Sequence, residues 1–411
     1  MIYDLIVIGG GAAGIFAAIK AKEQKKSVLL LEQQLQIAPK LKATGGGRCN
    51  LTNTLPNDQF AQKFGKNNRF VLEVIQKFDN NQLQIFLDNI GVQTHSPDKF
   101  RVFPLTHSSQ TVIDALLKYM QQLSIDIKCN HKVIDIKIDN QIKLITTKQK
   151  IYKAKNIVIA TGGKGYPKLG SSGDGFVFGA KLGHMVTKLY PAMMPLFTKE
   201  KWVAKCTADT LAKVTISVDI KKYKKLKATG DLIFTKHGIR GPVVLDFARE
   251  ITPLFDKYNQ IPIKLDILKG KNQNDIIELL KTESAKYPNI TVLDILSKIV
   301  AKSVLIELSN IVDIDLKVSY KALNGKKKND FLQLLSFVPL TIVGHDGFRL
   351  AMITRGGISL KHINPKTMES RLVPGVYFAG EVVDIDGPCG GYNLQWAFSS
   401  GYLAGSLSEL I

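Results

Sequence analysis

The run Asp4-Leu5-Ile6-Val7-Ile8-Gly9-Gly10-Gly11-Ala12-Ala13-Gly14 constrains this chain more than any other. Leu5 to Ile8 is a short continuous apolar run, the pattern of a parallel strand covered on both faces. It stops at glycines and passes directly into a helical stretch, Ile15-Phe16-Ala17-Ala18-Ile19. Gly9, Gly11 and Gly14 fall at G-x-G-x-x-G spacing, and each has its own task. Gly9 permits the tight turn, Gly11 lets the backbone approach a pyrophosphate, and Gly14 lets the helix pack close to the strand. A helix starting there presents free N–H groups and a positive dipole end to an anion. A second apolar strand, Val28 to Leu31, ends on Glu32. That acid lies about 20 residues downstream, the separation from which a carboxylate accepts hydrogen bonds from a ribose. Strand, glycines, helix, second strand and terminal acid therefore occur in the order a dinucleotide site requires.

A chain of 411 residues suffices for two or three domains. Its 45% hydrophobic and 22% charged residues are those of a globular protein. No apolar run approaches the ~18–20 residues of a membrane span. Met1-Ile2-Tyr3-Asp4 has no basic n-region and no cleavage site, so a cytoplasmic protein without a signal peptide is expected. Cys49, Cys129, Cys206 and Cys389 are far apart, which argues against a disulfide framework and a structural zinc site. The net charge of +21 leaves a polyanionic partner open. The basic residues are mostly lysines spread along the chain, with small runs at Lys221-Lys222-Tyr223-Lys224-Lys225 and Lys326-Lys327-Lys328. Neither run lies in a recognisable nucleic-acid module, so solvated faces are the plainer account.

Taken in order, residues 42–53 read Lys-Ala-Thr-Gly-Gly-Gly-Arg-Cys-Asn-Leu-Thr-Asn, a second glycine loop able to form an anion nest. Helical periodicity covers 70–90 and 109–123, and a β meander is expected from Ile125 through Tyr152. Asn156 to Ile159 reads as a separate buried strand ending in Thr161-Gly162-Gly163, placed beside the first strand and its ligand. A boundary falls near Tyr190-Pro191. The divisions expected are 1–190 for the first part of a dinucleotide domain, 191–272 with 336–344 for an inserted β domain, 273–335 for a helical insertion, and 345–411 for the second part of the dinucleotide domain. Within the insertion, Val292 to Leu308 and Tyr320 to Leu335 read as helices. At the end, Gly387-Pro388-Cys389-Gly390-Gly391-Tyr392-Asn393-Leu394-Gln395 opens a final helix.

Several of these segments together closely resemble the YhiN/BaiN-like flavoproteins, also called aminoacetone-oxidase-like. They are Gly9 to Gly14, Thr44 to Asn53, Tyr377 to Asp384, and Gly390 to Gln395. The segments 160–163, 234–242, 354–358 and 365–370 fit the same pattern. The resemblance implies an α/β protein: a Rossmann-like FAD-binding domain of the GR2-like kind, discontinuous, with an inserted β-barrel-like domain and a small helical domain. It implies FAD with its pyrophosphate at Gly9, Gly11, Ala12, Ala13 and Gly14 and its ribose at Glu32. Gln33, Val133, Thr161, Gly162 and Gly163 are counted as further cofactor contacts, and Lys40 as one reaching the phosphates or adenosine. Thr44, Gly45, Gly47, Arg48, Cys49 and Asn50 would meet Gly380, Glu381, Gly391, Tyr392, Asn393 and Leu394 around the flavin. The linker Gln33 to Lys40 departs from the basic, glycine-containing stretch common in the family.

Members of that family are FAD-dependent oxidoreductases, either oxidases of a small amine or reductases of enone-type steroids. The expectation is hydride transfer between flavin and a small organic substrate. No second complete G-x-G-x-x-G occurs, so NAD(P)H would bind transiently, or O2 would reoxidise the flavin. The start of the last helix near Gly391 is the candidate for stabilising negative charge on reduced flavin. No acid–base residue stands out: His237, Tyr166, Tyr392 and Asp384 border glycine-rich loops, and a structural role suits each. Cys49 and Cys389 read as ordinary small buried residues rather than redox thiols. No metal is expected. Two alternatives stay open, a flavoprotein acting on RNA and a noncatalytic FAD-binding or electron-transfer protein.

Overall fold

The structure, a computed structural model, describes residues 1–323 and 325–408. The chain forms two compact units, residues 1–191 with 352–411, and residues 192–351.

The first unit is built on a seven-stranded sheet. Strand β1 (Ile2–Ile8) lies at its centre, parallel to β2 (Val28–Leu31) on one side and to the strand Ile151–Ile159 on the other. Leu5, Ile6, Val7 and Leu29 to Leu31 are at most 1% exposed, as a strand covered on both faces must be. The strand Val376–Phe378 joins in parallel from the far end of the chain. Ile8, Leu31, Ile159 and Phe378 end level with one another. The carboxyl ends of four strands thus share one edge, where ligands of open α/β sheets bind.

Helix α1 (Ala12–Glu23) begins at that edge and packs on the closing helix Tyr392–Gly405. A Cβ at Gly401 or Gly405 would run into the carbonyls of Ala13 and Ala17. The two backbones therefore approach as closely as glycine allows. Around this contact the Phe16 ring meets those of Phe78, Phe86 and Phe398, edge-on or tilted, at separations of 5.5, 5.0 and 4.7 Å. Truncating a core aromatic of this kind costs about 3–5 kcal/mol.

The meander differs from expectation in two ways. Asp126–Lys128 leaves it and pairs in parallel with β2. Ile151 to Ile159 is one strand rather than two: its first half pairs antiparallel with Ile142–Thr147, and its second half parallel with Val376–Phe378. Alternation in the first half and a continuous apolar run in the second reflect one exposed and one doubly covered environment, so the sequence pattern changes inside a single strand.

The second unit holds a closed barrel with strand order Leu196–Thr198, Gly238–Arg240, Lys227–Thr235, Thr210–Val218, Ile261–Asp266, Val338–His345. Closure leaves no free sheet edge. Helices Gln273–Lys286, Val292–Leu296, Lys302–Ile311 and Gly325–Ser336 share one apolar core with it. The expected single helix Val292 to Leu308 is broken at 297–301, with Val300 buried in the turn. The bend lets Leu293, Leu296, Leu305 and Leu308 all reach the core, so tertiary packing overrides local periodicity. The expected helix from Tyr320 is likewise a 3₁₀ turn, Tyr320–Ala322, followed by Gly325–Ser336, and Asn324 lies outside the described residues.

Candidate functional site

Gly9 has φ +104°, a conformation that glycine adopts without strain. A Cβ there would meet the carbonyl of Ala160 at 2.5 Å, and one on Gly14 would strike the carbonyl of Gly9. A Cβ on Gly11 would meet nothing within 4 Å. Gly11 is the N-cap of α1, and no side chain caps that helix. The N–H groups of Ala12 and Ala13 thus begin a helix whose first turn faces open space, the arrangement that receives an anion.

Glu32 is 6% exposed. Its Oε2 accepts from the Gly10 N–H and its Oε1 from the Gln34 N–H, both at 2.7 Å. Each oxygen keeps a lone pair for a further donor. Gly10, the glycine with no motif task, is thus the one that fixes the acid. A Cβ there would press on Ile37 and on the Glu32 carboxylate. The clue in the sequence is the middle glycine of an uninterrupted triplet. Gln33 turns away and donates to the carbonyl of Gly170 at 2.5 Å. His131 N–H donates to the carbonyl of Glu32, which brings Val133, two residues on, to the same end of the site.

At the other end, Gly45, Gly46 and Gly47 carry φ of +58°, +67° and +88°. Added Cβ atoms at Gly46 and Gly47 would meet nothing. The side chain of Arg48 is exposed, and its Nε donates to the carbonyl of Gly45 at 3.2 Å. Cys49 is fully buried, and desolvation pushes its thiol up to about 11, against a lowering contact with Thr44. Oriented to satisfy both neighbours, the Asn50 amide donates to the Thr52 carbonyl at 3.2 Å and accepts the Gly391 N–H at 3.1 Å. Asn53 donates to the carbonyl of Gly390 at 2.8 Å. Two asparagines therefore tie the glycine loop to the start of the closing helix.

Lys40 Nζ lies 2.6 Å from Glu381 Oε2, and Glu381 Oε1 accepts the Thr354 N–H at 2.8 Å. Gly163 lies against Thr354 and Glu381, so a Cβ there would overlap both. Thr161 Oγ1 is buried without a hydrogen-bond partner. Gly380 packs on Ala13 of α1, and its carbonyl accepts from Trp396 Nε1 at 3.1 Å. The first and last segments of the chain thus meet at one place, with Lys40–Glu381 across them.

Two side chains and one backbone N–H serve the loop rather than open space. The Asn393 amide is engaged with Gly387 and with the carbonyl of Pro388. Tyr392 is 3% exposed and packs against Phe60 at 4.9 Å. The Gly391 N–H is already held by Asn50. Beyond these, the backbone N–H of Leu394 lies in the first turn of this helix. Burial pushes the Asp384 carboxyl above its usual range, with the Thr187 hydroxyl opposing the shift. His237 belongs to the barrel unit. Among the described residues no cluster of His, Cys, Asp and Glu is able to hold a metal, and no helix is long and apolar enough to cross a membrane.

A Rossmann-like sheet with an uncapped, glycine-lined helix start and an acid closing its second strand defines a dinucleotide-binding domain, and its relatives make the class that of FAD-dependent oxidoreductases. Within that class the chain belongs to the HI0933-like family, whose Rossmann-domain profile matches residues 3–407. It is 29% identical over 401 residues to the 3-dehydro-bile acid delta(4,6)-reductase of Clostridium scindens, covering 97% of both chains. It is 30% identical over 404 residues to the ribosomal RNA dihydrouridine synthase of Haemophilus influenzae, covering 97% of this chain and 96% of the relative. Among solved structures, the 3-ketosteroid-delta4-(5alpha)-dehydrogenase of Rhodococcus jostii RHA1 aligns with a TM-score of 0.51 at 13% identity, covering 98% of this chain and 96% of that one. That likeness is one of fold.

Proposed function

We propose that this protein is an FAD-dependent reductase that saturates a carbon–carbon double bond conjugated to a carbonyl, drawing electrons from NADH or NADPH. The geometric observation that carries the cofactor part is the open start of α1, with Gly11 facing empty space and the Glu32 carboxylate fixed behind it. That donor set fits a diphosphate and a ribose. The Ala12 and Ala13 N–H groups would receive the diphosphate, and Glu32 the ribose hydroxyls. The Gly45–Asn50 loop and the start of the closing helix tied to it would border the flavin. Lys40 would set its positive charge near the diphosphate from its bridge to Glu381. When bound, a flavin supplies the hydride chemistry, and the protein supplies placement and electrostatics.

The reaction part rests on what the names of the two curated relatives share. A delta(4,6)-reductase of a 3-dehydro steroid and an enzyme making dihydrouridine both saturate an alkene in conjugation with a carbonyl. Hydride addition to the β-carbon of such a system places negative charge on the carbonyl oxygen, which backbone N–H groups and helix starts stabilise. The test is anaerobic stopped-flow: flavin bleaching by NADH, NADPH or amines, then reoxidation of the NAD(P)H-reduced flavin by 3-oxo-Δ4 steroids, smaller enones or O2. Reoxidation by an enone faster than by O2 is expected. Reduction of the flavin by amines, with hydrogen peroxide as the sole product on reoxidation, would replace this reading with an oxidase.

A second reading makes the substrate a uracil base in RNA. The net charge of +21 and the dihydrouridine synthase at 30% identity favour it. Its assay is the dihydrouridine content of ribosomal RNA after incubation with the enzyme and NADPH, measured by mass spectrometry.

A further inference from the structure

The barrel strands Thr210–Val218 and Lys227–Thr235 form an antiparallel hairpin. The chain between them reads Asp219-Ile220-Lys221-Lys222-Tyr223-Lys224-Lys225-Leu226. Its apolar residues recur every third position, and a 3₁₀ turn covers Lys221–Tyr223. With three residues per turn, positions i and i+3 fall on the same side. Ile220, Tyr223 and Leu226 all pack against the core of the barrel unit. Tyr223 N–H donates to the Ile220 carbonyl and Leu226 N–H to the Tyr223 carbonyl, both at 2.8 Å.

The same period sends the remaining positions outward. Lys221, Lys222, Lys224, Lys225 and Lys227 are all exposed. Among the described residues, no carboxylate pairs with Lys221, Lys222, Lys224 or Lys225. The acid within the turn, Asp219, is taken by Lys264 at 2.9 Å. Two tyrosines lie at the base: Tyr223 meets Tyr258 edge to face at 6.1 Å, and Lys222 sits 5.7 Å from the Tyr223 ring. The other lysine run is spent internally, since Lys327 bonds Asp313 at 2.7 Å and Lys328 lies over Tyr320.

We propose that this lysine-tipped hairpin is a docking surface for the phosphate backbone of a structured RNA. The proposal rests on the RNA reading given above. A rigid turn holding like charges side by side without counter-charge is complementary to a polyanion, and lysine contacts to phosphate release counterions without reading sequence. An acidic membrane is the weaker partner. Stable binding to a bilayer surface needs apolar side chains to enter it, and the three apolar residues of this turn face the protein core.

The test uses the flavin-loaded protein and a labelled ribosomal RNA transcript, with binding followed by fluorescence anisotropy from about 50 to 300 mM KCl. Log affinity should fall linearly with log salt, with a slope of about −0.7 to −0.9 per phosphate contacted. Changing Lys221, Lys222, Lys224 and Lys225 together to Gln should make the slope shallower by about 3 and cut affinity at low salt about 100-fold or more. Lys221→Glu with Lys225→Glu should act in the same direction with fewer changes. Flavin content, melting temperature and flavin reduction by NADPH should match wild type in both. Lys326→Gln with Lys328→Gln should leave the slope unchanged. If wild type binds RNA without salt dependence, or not at all, the RNA reading falls and the hairpin with it. A steep wild-type slope that persists in the Gln variant refutes the hairpin alone. Vesicles containing phosphatidylglycerol that bind wild type and not the variant, with RNA binding equal in the two, would reassign the surface to lipid.

Discussion

Replacing Glu32 separates two tasks that one carboxylate performs. In the protein alone it accepts two backbone N–H groups at 2.7 Å while 6% exposed. Glu32→Ala leaves the buried Gly10 N–H and the half-buried Gln34 N–H without an acceptor, at about 1–3 kcal/mol each. The flavin-free protein should therefore lose about 4 kcal/mol, and at about 2–4 °C per kcal/mol its melting temperature should fall by about 10 °C. Glu32→Gln keeps one acceptor oxygen but turns an amide NH2 toward the other donor, so its loss should be about half as large. The second task belongs to the proposed cofactor. Hydrogen bonds to a charged acceptor contribute about 1.5–3 kcal/mol each, so FAD affinity should weaken about 10- to 100-fold in either variant. Melting of the flavin-free proteins followed by circular dichroism, and titration of flavin fluorescence, read the two effects independently. An unchanged melting temperature in Glu32→Ala would refute the account of the Gly10 and Gln34 bonds. Unchanged FAD affinity with a lowered melting temperature would remove Glu32 from the cofactor site and leave it a structural acid.

Other outcomes follow from the same geometry. Gly391 has φ +84° and its Cα faces the Thr52 backbone, so Gly391→Ala should lose flavin on gel filtration, whereas Gly46→Ala, at φ +67° with open space around it, should cost about 1–2 kcal/mol of backbone strain alone. The Ser27 N–H, followed by Lys155 and the Ser27 hydroxyl, holds the Asp4 carboxyl well below the usual carboxylate range. Its contribution is present above about pH 4 and disappears as pH falls toward the folded-state value, so Asp4→Asn should flatten the melting-temperature profile between about pH 2.5 and 5. Cys49, with its thiol raised to about 11, should resist iodoacetamide at pH 8 until the protein unfolds, and Cys49→Ser should keep its turnover.

The legible parts of this fold are those whose determinants are local. The run from Leu5 to Glu32 encodes strand, turn, helix and strand by composition alone, because each covered strand must be apolar and each close backbone approach must be glycine. Barrel closure is different. Pairing Leu196–Thr198 with Val338–His345 joins segments far apart in sequence, and alternation in either strand names no partner. The same limit hid the struts of the candidate site. Asn50 and Asn393 read as residues bordering the flavin, yet Asn50 spans to Gly391 and Asn393 turns inward to Gly387. Such links depend on which loops the fold brings together, and the two loops here come from opposite ends of the chain.

That meeting of ends has a consequence for biogenesis. The strand Val376–Phe378 and the helix that seats Gly401 and Gly405 on α1 leave the ribosome only after the whole barrel unit has been made. At about 5–20 residues per second, β1, β2 and Ile151–Ile159 wait on the order of 10 s or more with one sheet neighbour and one helix face missing. During that interval the barrel has time to close, while the nascent N-terminal half exposes apolar surface that Phe398 and its neighbours later cover. With the closing helix bordering the cofactor as proposed, capture of the cofactor would follow translation, timed by the emergence of that helix.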